Sequence, residues 1–103
     1  MQRKVVLSKT AKKKLDALFV YLIEEWSLQV KDNLVKKIDR CIDIIKEQPE
    51  VFPESTIRKG LRKCVVTKQT TLFYKADSKT ITIVTIFDTR SNPDKLFKDL
   101  ENI

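Results

Sequence analysis

Residues 11–45 limit the possible folds of this chain more than any other stretch. Apolar side chains recur at Ala11, Leu15, Leu18, Phe19, Leu22, Ile23 and Trp26. After a break at Ser27–Leu28 they recur at Val30, Leu34, Ile38, Cys41, Ile42 and Ile45. Steps of three and four residues place each set on one helix face. So short a connection between two helices makes them an antiparallel hairpin. Ser8 or Thr10 is placed to cap the first helix through a side-chain oxygen. Gln48–Pro49 ends the second, because Pro disfavours helical geometry in the residue before it. Two apolar stripes side by side need an apolar surface to cover, and the rest of the chain must supply it.

The flanking sequence reads as strands. RKVVL (3–7) forms a short first strand. LRKCVVTK (61–68) and TTLFYKA (70–76) are joined by a tight turn at Gln69, and Asp77–Ser78 turns into KTITIVTIF (79–87). The last of these is rich in β-branched residues, which suits a central strand covered on at least one face. The segment 47–60 is the one irregular connection, with Val51 and Phe52 expected to tuck beneath it. Gly60, the only glycine, precedes a strand and implies a backbone angle closed to other residues. Asn92–Pro93 has the form of a helix start, leading into a short amphipathic tail with Leu96, Phe97, Leu100 and Ile103. The order β-α-α-β-β-β-(short α) gives an α+β domain of two layers, a helical hairpin on an antiparallel sheet. At 103 residues the chain has room for a single domain, residues 1–103.

Composition narrows the chemistry. There is no His, and the two cysteines, Cys41 and Cys64, lack metal-ligand spacing. No metal site of Cys and His and no Ser–His or Cys–His nucleophile pair can be built from this chain. Both cysteines sit at core positions and read as buried free thiols. The net charge of +7 points to an anionic partner, be it nucleic acid, an acidic protein segment or a membrane surface, or else to a solvated lysine-rich exterior. The N-terminus has no apolar centre of signal-peptide length, and no run approaches the ~20 apolar residues of a membrane span. The chain is therefore expected to be soluble and cytoplasmic, with no part in a membrane.

The segment LFYKADSKTITIVTIFDTR (72–90), followed by Ser-Asn-Pro, joins an aromatic strand, a tight turn, an apolar strand and a terminal arginine. With the element order, size and basic charge, it resembles the RelE/ParE toxins of type II toxin–antitoxin pairs, often called plasmid stabilisation proteins, over roughly residues 3 to 97. That resemblance implies a cognate antitoxin partner, small, acidic and partly disordered alone. It implies no cofactor. Family branches share a fold and differ in target. RelE-like members cut mRNA on the ribosome, and ParE-like members bind and inhibit DNA gyrase. Others have no known target or are not toxic.

A nuclease of the RelE kind resembles its relatives in a cluster of Lys and Arg on the sheet with a C-terminal aromatic nearby. Cations offset charge developing on the phosphorane-like transition state. Here Lys63 and Arg90 fall at two such positions. Val65 and Thr71 occupy two others, and the aromatic position holds Leu96 unless Phe97 substitutes, without a hydroxyl. The incomplete cluster and the long hairpin make the chain more similar to the ParE-like branch, which acts by binding and needs no catalytic group.

The candidate partner- or target-binding residues are Arg62, Lys63, Tyr74, Asp88, Arg90 and Trp26. Each has a structural alternative. Arg90 pairs with Asp88 or Asp94, and Asp88 caps the turn. Arg62 and Lys63 form an ordinary solvated strand face. Tyr74 is a half-buried strand aromatic and no stacking platform. Trp26 packs at the hairpin tip.

Overall fold

The computed structural model describes residues 3–56 and 58–90. They form β1 (Lys4–Leu7), α1 (Lys9–Glu25), α2 (Leu28–Glu47), β2 (Arg62–Val65), β3 (Thr70–Ala76) and β4 (Thr80–Asp88). The expected short helix after Asn92 lies outside the described residues. Two helices pack on one face of a four-stranded sheet in the order β1-β4-β3-β2.

Each helix starts where a serine can accept from an unpaired first-turn N–H. Ser8 Oγ accepts from Ala11 N at 2.9 Å and Ser27 Oγ from Val30 N at 3.1 Å. Ser8 is thus the cap, and Thr10 lies within α1. Trp26 closes α1 and Ser27 opens α2, so the hairpin turn is two residues long. α2 ends at Gln48, ahead of Pro49. No helix among the described residues is long and apolar enough to cross a membrane.

The three consecutive strands pair antiparallel, as their sequence suggests. β1 adds itself to the far side of β4 in parallel, with Val5 beside Ile81 and Leu7 beside Ile83, so the sheet is mixed and not purely antiparallel. Ser8 fixes that arrangement. Its N–H donates to Ile83 O and its hydroxyl to Val84 O. A strand separated from the sheet by a helical hairpin has no turn to dictate its direction, and these contacts decide it.

The core between helices and sheet holds Ala11, Leu15, Leu18 and Leu22 of α1, Leu34, Ile38 and Ile45 of α2, and Cys64, Leu72, Tyr74, Ile81, Ile83 and Ile86 of the sheet. A smaller cluster on the other face contains Leu61, Phe73 and Val84, with Phe87 against it. β4 is central and covered on both faces. The apolar stripes are narrower than their sequence suggests. Ile23 and Trp26 are exposed, because Ala11, Leu15, Leu18 and Leu22 already fill the arc of α1 that faces the sheet. Val30, Cys41 and Ile42 are half-buried. Val51 is exposed and does not tuck under the connection, whereas Phe52 packs edge-on against Tyr74 with ring centroids 6.5 Å apart. Gly60 has φ +91°, the left-handed region its placement implies.

β2 stops earlier than expected. Val66 N and Thr67 N both turn to Thr70 O, and Thr67 Oγ1 accepts from Gln69 N and Thr70 N. A hydroxyl that takes these backbone donors makes a turn of residues that would otherwise lengthen the strand. A bulge interrupts the β3–β4 ladder. Phe73 faces Thr85 while Tyr74 faces Ile83, leaving Val84 as the extra residue.

Candidate functional site

α1 runs along β4, so the C-terminal end of the helix meets the exit of the strand. Ser8 touches Val84 at one end, and Trp26 meets Arg90 at the other. At that second end a small polar constellation closes around Asp88. Its Oδ2 accepts from the Thr70 hydroxyl at 2.6 Å and from Arg90 Nη2 at 2.8 Å. Its Oδ1 accepts from Arg90 Nε at 3.0 Å and from Arg90 N at 2.9 Å. The guanidinium carbon lies 5.9 Å from the centre of the Trp26 ring. The Asp88 side chain is 1% exposed and that of Arg90 17%.

Asp88 therefore both caps the turn and pairs side-on with Arg90. Burial pushes its carboxyl up. The Arg90 guanidinium, the Thr70 hydroxyl and the Arg90 N–H outweigh that and hold it below the usual carboxylate range. Arg90 is held above its ordinary value, chiefly by its hydrogen bonds to Asp88. The pair is not the exposed kind, which contributes only about 0–1 kcal/mol. The side-on arrangement uses two of the five guanidinium N–H donors, and among the described residues the Nη1 edge has no hydrogen-bond partner. Trp26 itself is 59% exposed, with Ile23 at 43% before it and Leu28 at 58% after it.

The other candidates lie elsewhere. Tyr74 is fully buried, and its hydroxyl donates to Pro49 O at 2.7 Å. It is core, neither half-buried nor a surface for stacking, because its side chain points toward the helices and not to the other face of the sheet. Burial pushes its phenol up to about 12. Arg62 is half-buried and spends its Nη1 on Phe52 O at 2.7 Å, which ties the irregular connection to β2. Lys63 is exposed on the face of the sheet away from the helices, since its neighbour Cys64 points into the core.

Lys63 sits in the row of Phe73 and Thr85, three residues from Asp88 along β4. That is roughly 10 Å along the strand and 10 Å across two strand spacings. Asp88 and Thr70 share the helix-side face with Ile86 and Leu72, so Lys63 and Arg90 also lie on opposite faces. The adjacent row, Val65, Thr71 and Phe87, carries no charge. The structure brings Trp26, Asp88 and Arg90 together and excludes Lys63, Arg62 and Tyr74 from that group. Thr70 joins the constellation unforeseen, and only the strand register points to it. Among the described residues no group of three or more His, Cys, Asp or Glu gathers to hold a metal. Leu96 and Phe97 lie outside the described residues, as does Asp94.

A family model described as the ParE toxin of the type II toxin–antitoxin system, parDE, matches residues 5–93. The chain belongs to the ParE toxin family. Solved structures agree on the fold. A chain of the chromosomal ParDE system from P. aeruginosa superposes with a TM-score of 0.71 at 13% identity, over 84% of this chain and 96% of that one. The YoeB dimer from Staphylococcus aureus gives 0.61 at 16% identity, over 84% of this chain and 97% of that one. The E. coli DinJ–YafQ toxin–antitoxin complex gives 0.59 at 18% identity, over 88% and 97%. A comparison with curated proteins finds no match. In this ParE-family chain the terminal arginine of the last strand is clamped on its own aspartate and stacked at the hairpin tip.

Proposed function

We propose that this ParE-family toxin acts by binding and blocking a protein target, DNA gyrase in the first instance, and that a small acidic antitoxin holds it in check. One observation carries the reading. Lys63 and Arg90, the two cations that the family resemblance places in a nuclease cluster, lie on opposite faces of the sheet, and Arg90 is engaged by Asp88. A nuclease without His needs cations that converge on one phosphate as charge develops there. Cations placed this way do not converge. A binding toxin needs a rigid, desolvatable surface instead. Trp26 under the clamped Arg90, flanked by Ile23 and Leu28, has the aromatic, arginine and aliphatic make-up of an interface hot spot.

The net charge of +7 suits an acidic antitoxin segment, which folds as it binds and whose encounter charge accelerates. The similar DinJ–YafQ structure is itself a toxin–antitoxin complex. The test is a DNA supercoiling assay with purified protein, run beside toeprinting on translating ribosomes. Wild-type protein inhibits supercoiling, Trp26→Ala weakens inhibition roughly tenfold or more, and no new mRNA cuts appear. Unchanged supercoiling at micromolar protein removes gyrase as the target. Cuts that vanish with Arg90→Ala replace the binding reading by ribosome-dependent cleavage.

A further inference from the structure

The outward face of α1 carries an arrangement that none of the toxin chemistry uses. Helix ends favour acidic residues at the N-terminus and basic ones at the C-terminus, because of the macrodipole. α1 is the reverse. Lys9, Lys12 and Lys13 stand at its start and Glu24 and Glu25 at its end, all exposed. No acidic residue occupies its first turn and no basic one its last. Between the two charged ends lie Ala17 and Val20, both exposed, the latter at 54%. Lys13, Ala17, Val20 and Glu24 are spaced by four, three and four residues, so they form one stripe on the side away from the sheet.

That stripe is complementary to itself. Turn a second copy of α1 antiparallel, with a twofold axis between Ala17 and Val20. Ala17 then faces the copy's Val20, and Lys13 faces the copy's Glu24. Both contacts repeat by symmetry. The small Ala17 lets the helices approach closely, and the macrodipoles oppose. The charge balance permits it. α1 holds four lysines against one aspartate and two glutamates, a net +1, in a chain of net +7. Long-range repulsion between copies is thus small along this helix.

We infer that two copies of this chain associate through an antiparallel α1–α1 seam of Lys13, Ala17, Val20 and Glu24. From Lys13 to Glu24 the seam spans about 17 Å of helix. It falls short of the ~800 Å² per partner of a standard interface, so the dimer is weak, with a Kd of roughly 10–100 μM.

Sedimentation equilibrium of the purified full chain across that concentration range tests the inference, with Lys13→Glu, Glu24→Lys and the double variant. Each single reversal replaces two symmetric ion pairs by two like-charge contacts and weakens the dimer roughly tenfold. The double variant restores the pairing with the charges exchanged and returns Kd to near the wild-type value. Loss of fold cannot mimic the result, since both residues are exposed and Glu24→Lys puts a favourable cation in the last helical turn. A wild-type chain that stays monomeric throughout overturns the inference. So does a Kd indifferent to single reversal, a double variant no tighter than the singles, or a face of α1 that is covered only when a foreign acidic chain is added.

Discussion

Asp88→Ala is the substitution that most directly probes the site. It deletes the acceptor of four hydrogen bonds at once, from the Thr70 hydroxyl, Arg90 N, Arg90 Nε and Arg90 Nη2. Thr70 is fully buried and keeps a hydroxyl with no acceptor. Removing one partner of a buried ion pair costs about 3–5 kcal/mol. The Arg90 side chain, 17% exposed, can turn toward water, which brings the cost to about 3 kcal/mol. Near 100 residues each kcal/mol shifts the melting midpoint by several degrees, so Tm falls by roughly 15 °C. Asp88→Asn keeps the shape and loses the charge, at about 1–2 kcal/mol. pH separates the two effects. A carboxyl whose folded pKa lies below its unfolded value of about 3.9 contributes stability above that pH. The contribution is lost as pH falls through the folded value. The wild type therefore loses stability on acidification below about pH 4, and Asp88→Asn loses less over the same window. Thermal unfolding followed by circular dichroism at neutral and acid pH measures both. If the Asp88→Ala midpoint lies within about 3 °C of wild type, the clamp contributes no more than an exposed pair, and the argument for a fixed Arg90 fails.

Four further outcomes follow from the same geometry. Thr85→Val removes a buried hydroxyl that has no hydrogen-bond partner among the described residues, and raises stability by about 1 kcal/mol in urea unfolding; a clear loss contradicts this. Tyr74→Phe leaves the Pro49 carbonyl without its donor and costs about 1–3 kcal/mol, read the same way. Ser8→Ala removes the α1 cap and the bond to Val84 O, costing about 1–2 kcal/mol, with amide exchange rising first at Ala11. Burial, with Cys41 beside it, pushes the Cys64 thiol from 9.0 to about 12, and burial pushes Tyr74 from 10.0 to about 12. Both stay protonated in the fold while the unfolded chain ionises, so stability falls as pH rises from about 9 to 12, and flatness across that range refutes their burial.

Much of this was legible in the residues themselves. The helical hairpin follows from apolar spacing between Ala11 and Ile45, and its ends from a cap at Ser8 or Thr10, a break at Ser27–Leu28 and Gln48–Pro49; the structure chose Ser8 and made Ser27 the second cap. The antiparallel meander follows from two tight turns too short for any other connection, and Gly60 from its lone placement. The family was legible in the strand, turn and terminal arginine of residues 72–90. Exposure within a stripe was less so. Ile23 and Trp26 continue the apolar period of α1, yet the sheet covers only the arc already filled by Leu18 and Leu22. The partner of β1 was not legible either, since no turn links that strand to β4.

Side-chain type and order alone determined that Asp88, Thr89 and Arg90 end an apolar strand. The tertiary structure decided which way Asp88 points. Strict alternation from Ile81 and Ile83 would put Thr85 and Phe87 toward the helices and Asp88 on the opposite face. The bulge at Val84 adds one residue to β4 and reverses every later side chain, so Ile86 and Asp88 face the helices instead. Asp88 therefore meets Thr70, and Arg90 reaches Trp26. A strand's period of two carries no record of where it slips. Packing against a helix 60 residues earlier in the chain selects the slip, and with it the site.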